Sequence, residues 1–126
     1  MKAATRDWIK KAEGDWLAAQ ALARRRKIPL HDQVCFHCQQ SAEKYLKARL
    51  EEAGIVTPKT HDLERLLGVV LAVEPLWSAL RPPLNRLTDF AVDFRYPGNE
   101  ATQAEAKTAF ADCKAVRKGV RLSLGL

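Results

Sequence analysis

Cys35-Phe36-His37-Cys38-Gln39-Gln40-Ser41-Ala42-Glu43-Lys44-Tyr45-Leu46-Lys47 is the stretch from which the fold can be read. Cys35, Cys38, Ala42, Tyr45 and Leu46 recur at three- and four-residue intervals, the period of a helix with one apolar face. Followed outward, this helix starts near His31 or Asp32 and adds Ala53 to its buried stripe. It runs to Glu52 or Ala53, with Gly54 as its C-terminal cap. A second line on the same helix is polar: His37, Gln40, Ser41 and Lys44 are also spaced by three and four. Glu43 and Lys47 flank it, and Phe36 falls near the same side.

The neighbouring segments are helical too. From about Thr5 to Arg26, Trp8, Ala12, Trp16, Ala19 and Ala23 form one stripe, and Pro29 stops the helix. Thr60 is the expected N-cap of a third helix, with Asp62 and Glu64 placing negative charge in its first turn. That helix ends around Val73, before Pro75. Pro82-Pro83 opens a fourth, in which Leu84, Leu87, Ala91 and Phe94 step by three and four until Pro97-Gly98. A last helix, about Ala101 to Leu122, buries Ala106, Ala109, Phe110, Cys113, Val116 and Val120. No segment alternates long enough to read as a strand. The expected fold is therefore all-α, an up-and-down antiparallel bundle of four to five helices in a single domain over residues 1–126.

A chain of 126 residues with 47% hydrophobic and 29% charged residues is of globular composition. No apolar run approaches the roughly 18 residues of a membrane span. Met1-Lys2-Ala3 leads straight into a charged, tryptophan-bearing helix pattern, so no signal peptide is expected. Three cysteines, all in helical segments, favour reduced thiols and a cytoplasmic location. The net charge of +6 favours anionic partners such as a nucleotide, nucleic acid or an acidic protein face. Arg24-Arg25-Arg26-Lys27 contributes to that charge, but it also suits a helix end, where cations complement the macrodipole.

Three groups of residues are candidates for chemistry. His37, Gln40 and Lys44 could hydrogen-bond a phosphate or a base; equally, they could form a solvated face. His61, expected in the first turn of the third helix, stands where free backbone N–H groups favour an anion, or where a side chain fastens a loop. Arg95 offers a fork for phosphate and Tyr96 a stacking face, or an Asp93–Arg95 pair ties the loop. Cys35-x-x-Cys38 with His31 and His37 does not make a zinc site. A structural zinc normally takes four converging ligands, and the cysteines fall on the core stripe while His37 faces away. No phosphate-binding glycine loop, nucleophile elbow or paired metal-binding carboxylate motif is present, and no cofactor or catalytic residue is assigned.

Taken in order, the Phe-His-x-Gln-Gln-x-Ala-Glu-Lys-x-Leu-Lys pattern from Phe36, the Lys-Thr-His-Asp-Leu run from Lys59 and Arg95-Tyr96-Pro97 resemble the HEPN family, the higher eukaryote and prokaryote nucleotide-binding domain. The resemblance spans about Asp7 to Val120. It implies an up-and-down helical bundle that often dimerises, so a homodimer is expected. It also implies a nucleotide or RNA ligand, and a separately encoded minimal nucleotidyltransferase as partner in a toxin–antitoxin-like module. Ribonuclease members of the family carry an Arg-x(4–6)-His motif. Arg95 is the nearest counterpart of its arginine, yet no histidine follows Arg95 in the chain. Arg26 and His31 meet the spacing formally, across the first interhelical loop, where a chance match is expected. The resemblance therefore implies a binding protein, with a metal-independent ribonuclease using His37 or His61, or a protein–protein adaptor, as alternatives.

Overall fold

The computed structural model describes residues 1–94 and 96–126, and all of their side chains except those of Ala91 and Val92. The helices are α1 (Ala3–Ala23), α2 (His31–Glu52), α3 (Leu63–Val70), α4 (Arg81–Asp93) and α5 (Gln103–Ser123), with a 3₁₀ helix at Pro75–Leu80 before α4. No strand occurs among the described residues. Side-chain pairings give the helix directions. Thr5 with Glu52, Ala12 with Ser41 and Asp15 with His37 run α1 antiparallel to α2. Arg86 with Asp112, and Leu80 beside Gly119, run α4 antiparallel to α5. The all-α up-and-down bundle is as expected.

Two helix boundaries show local control. At the end of α2, Gly54 takes φ +72°, its N–H donates to Glu51 O, and the Ile55 N–H donates to Leu50 O. This paired closure of the last carbonyls needs a left-handed residue, which glycine supplies without a Cβ clash. α5 opens with a capping box: Thr102 Oγ1 accepts from Glu105 N–H, and Glu105 Oε1 accepts from Thr102 N–H.

Some expectations are corrected here. α1 ends at Ala23, not at Arg26; Arg24 caps it, and Arg25 to Lys27 belong to the loop, so the basic run lies beyond the last helical turn. Trp8 and Ala23 leave the core stripe, Trp8 half-buried and Ala23 exposed, and Thr5 takes a buried place beside Ala12, Trp16 and Ala19. Ala53 is also only half-buried. The third helix begins at Leu63 with Asp62 as its cap, because Asp62 Oδ1 accepts from Glu64 N–H while Thr60 Oγ1 accepts from Asp62 N–H. That helix closes at Val70, short of Val73.

α2 is the central helix, packed against α1, α3, α4 and α5. Its burial extends beyond the apolar stripe to Gln39, Ser41, Glu43 and Lys47. Cys35, Cys38 and Cys113 are buried free thiols in this core. Burial pushes the Cys35 thiol up to about 12, and the neighbouring Cys113 thiol, with burial, raises that of Cys38. Cys35 and Cys38 thus face the core, as expected, and away from His37, whose ring bonds to α1.

The α1–α2–α5 junction is closed by a charged cluster. Arg117 donates to both oxygens of Glu13, at 3.0 and 2.6 Å, and the Tyr45 hydroxyl donates to Glu13 Oε2. Arg117 also lies over Trp16, 5.0 Å from the ring centroid. The Arg117 guanidinium, followed by the Tyr45 hydroxyl, holds the Glu13 carboxyl below its usual range against the opposing effect of burial. A depressed folded-state pKa adds stability above the unfolded value, about 4.3 for glutamate, and that stability is lost as pH falls through the folded value. Glu13→Gln should cost about 2 kcal/mol at neutral pH, the scale of hydrogen bonds to a charged group. It should also flatten the loss of thermal stability on acidification below the ordinary glutamate range. Melting temperatures across that range test both effects, and parallel pH profiles for the two proteins would contradict the assignment.

Candidate functional site

The polar line on α2 does not project freely into solvent. Because α2 is central, the same spacing that aligns these residues turns them against α1. Asp15, one helical turn before Ala19 on α1, receives two of them: His37 Nδ1 is 2.9 Å from Asp15 Oδ1, and Lys44 Nζ donates to Asp15 Oδ2 at 2.5 Å. Ser41 Oγ donates to the Ala12 carbonyl. Gln40 donates to Gln39 Oε1, and the Gln39 amide in turn donates to Glu43 Oε1 and to the His61 carbonyl.

Glu43 joins the second half of the network. It is almost fully buried, with Lys47 Nζ 3.2 Å from Oε2 and His61 Nδ1 2.9 Å from Oε1. Lys47 Nζ also lies over Trp8, 5.4 Å from the ring centroid. His61 itself stands in the loop before α3, not in the first helical turn, and its side chain is 83% exposed. The carboxylate orients one ring nitrogen and leaves Nε2 toward solvent, an arrangement suited to proton transfer or hydrogen bonding to a ligand.

The structure thus pairs His37 with Lys44 on Asp15, and separately links Gln40 to His61 through Gln39 and Glu43. Tyr96 is exposed in the loop after α4, and its carbonyl accepts from Asn99 N–H. Arg95 lies outside the described residues. Arg26 and His31 line one cleft at the far end of α1, where they share space without a mutual hydrogen bond.

An open groove of about 930 Å³ runs beside this network. Trp8, Lys10, Lys11, Gly14, Asp15 and Lys44 line it, together with Ala4 and Asp7. The Trp8 ring has the buried Lys47 ammonium over it and also lines the groove. Lys10 and Lys11 make no ion pair with a described residue, so their charge is available to a ligand. An aromatic surface with three ammonium groups, offset in part by the Asp7 carboxylate and by Asp15, which pairs with Lys44, can hold a base and its phosphate. Trp8 was expected in the core, and Asp15, Lys10 and Lys11 carried no expectation. The signal was the spacing of Ala4, Trp8, Lys11 and Asp15, which defines a face of α1 separate from Ala12, Trp16 and Ala19.

Among the described residues no helix is long and apolar enough to cross a membrane, and no group of three or more His, Cys, Asp or Glu side chains is placed to hold a metal ion. Comparison with curated proteins and with solved structures found no match. The HEPN domain family model matches residues 5–122, nearly the entire length, and the chain belongs to the HEPN domain family.

Proposed function

We propose that this HEPN protein binds a nucleotide or single-stranded RNA in the α1 groove, as the non-catalytic partner of a separately encoded minimal nucleotidyltransferase in a toxin–antitoxin-like module. The observation that carries the binding reading is the groove itself: Trp8 for a base, Lys10, Lys11 and Lys44 for phosphate. His37 and Asp15 fix Lys44 in place, and His61 offers Nε2 at the end of the Glu43 network. Arg95 as a phosphate clamp and Tyr96 as a stacking surface follow from residue type and the family resemblance. The partnership with a nucleotidyltransferase and assembly as a homodimer follow from the family association alone, and a cytoplasmic location from the reduced cysteines.

The second reading is a metal-independent ribonuclease, favoured by the His61–Glu43 pair. A carboxylate on Nδ1 with Nε2 open to solvent is the arrangement of an oriented general base. Phe36, exposed on the α2 surface with its ring edge-on to His37, would instead anchor a protein partner in the adaptor reading.

Titration with a single-stranded oligoribonucleotide at several salt concentrations separates these readings. Lys10→Ala/Lys11→Ala should weaken binding about tenfold and lower the salt slope by about 1.4, at roughly 0.7 per phosphate contact on a single strand. Intact RNA after prolonged incubation supports binding without cleavage. Cleavage that persists in chelator and disappears in His61→Ala would replace the first reading with the second. A folded double variant with unchanged affinity and salt slope would remove the groove from the account.

A further inference from the structure

We infer that the cleft between the end of α1 and the starts of α2 and α5 is a second anion site, built for a phosphate-bearing ligand. The cleft has a volume of about 830 Å³ and shares no lining residue with the α1 groove. Arg24, Arg25, Arg26, His31 and Lys107 surround it, and Phe110 contributes an apolar wall. That volume lies within the range of small-ligand sites.

What marks this cleft is that several basic side chains without a described carboxylate partner converge on one cavity. Elsewhere, Lys44, Lys47, Arg49, Arg81, Arg86, Arg117 and Arg121 each face a carboxylate, while Lys10 and Lys11 face none among the described residues. Around the cleft, Arg25 donates to the Lys27 carbonyl and so fastens the loop. Arg24, Arg26, His31 and Lys107 form no ion pair with a described residue. The two nearby carboxylates are already engaged by backbone: Asp32 Oδ1 accepts from Ala101 N–H at 2.7 Å, and Glu105 Oε1 accepts from Thr102 N–H at 3.0 Å. α2 starts at His31 without a side-chain cap, so its first N–H groups add positive potential at the same place. Asp32 in that first turn offsets part of this potential, which leaves the side-chain cations as the main attraction.

The apolar wall narrows the ligand class. Phe110 is stacked on Trp16, with ring centroids 4.7 Å apart, and is thereby held as a rigid surface. Arg24, Arg26 and Lys107 at the rim, with the His31 imidazole and an aromatic wall, suit a polyphosphate or phosphodiester joined to a planar organic group, more than a bare inorganic ion. The site does not depend on the α1 groove, and the two can be tested separately.

Amide chemical shifts of the ¹⁵N-labelled protein, followed through titrations with sodium tripolyphosphate, ATP and a 5′-hydroxyl oligoribonucleotide, give the test. At least one of the three should produce saturable shifts at residues 24–31 and 103–107. Tighter binding of ATP than of tripolyphosphate identifies a free nucleotide as the source of the phosphate, and tightest binding of the oligoribonucleotide identifies an RNA backbone. Arg24→Ala/Arg26→Ala/Lys107→Ala should weaken the preferred probe about 30-fold, at roughly threefold for each exposed charge contact. Lys10→Ala/Lys11→Ala should leave these shifts unchanged. Saturable shifts confined to residues 7–15, or none with any probe, would overturn the inference. Since the map is made on the unaltered protein, the test stands even if the triple variant does not fold.

Discussion

Glu43→Ala should destabilise the protein by about 3 kcal/mol, the lower end of the cost of removing one partner from a buried ion pair. Lys47 is 9% exposed and Glu43 3%, so without the carboxylate the ammonium would remain in a poorly hydrated position with only Trp8 against it. Gln39 and His61 would each lose a hydrogen-bond acceptor in the same step. In a domain of this size the change corresponds to a fall in melting temperature of about 10 °C. The cause is the stranded charge, so Glu43→Leu/Lys47→Met should recover most of the loss. A melting temperature within a degree or two of the parent for Glu43→Ala would mean that the pair lies in far better hydrated surroundings than its burial indicates.

The second large effect is on binding. Trp8→Leu should lower affinity for a single-stranded oligoribonucleotide by about tenfold or more, since stacking of one base on an aromatic side chain is worth about 1–3 kcal/mol. Leucine keeps an apolar group beside Lys47, so the fold is retained while the π surface is lost. Trp8→Phe should recover part of the affinity, a pattern that simple loss of packing would not give. Equal affinities for the leucine and phenylalanine variants would place the base elsewhere.

The helical architecture was legible because its signals are local. The stripe of Cys35, Cys38, Ala42, Tyr45 and Leu46 and the glycine after α2 depend on neighbours within a few residues. Boundaries set by competing side chains were harder to read. Thr60 and Asp62 are both good caps, and only the three-dimensional turn decides that Asp62 reaches the free N–H. The short 3₁₀ helix at Pro75–Leu80 left no periodic trace, because it buries none of its residues.

The site was legible in part for the same reason. His37, Gln40 and Lys44 could be grouped because they share a helix, and His61 could be singled out by residue type. Their partners could not be read, since Asp15 lies on another helix and the pairing of α1 with α2 is a tertiary choice. Glu43 was seen only as a flanking charge; its central role depends on the burial of α2 on every side. Trp8 was misassigned to the core because tryptophan on an alanine-rich amphipathic helix usually marks the buried face. Trp16 takes that place, and Trp8 faces the groove.

The central claim is that the α1 groove takes a base on Trp8 and phosphate on its lysines. Tryptophan fluorescence of the intact protein, titrated with a single-stranded oligoribonucleotide in parallel with Trp8→Leu, tests it most directly. The account predicts a saturable, salt-sensitive quench in the parent, and a weaker affinity with most of that quench gone in the variant. The absence of saturable binding in the parent, or the same affinity and quench in a folded variant, would contradict it.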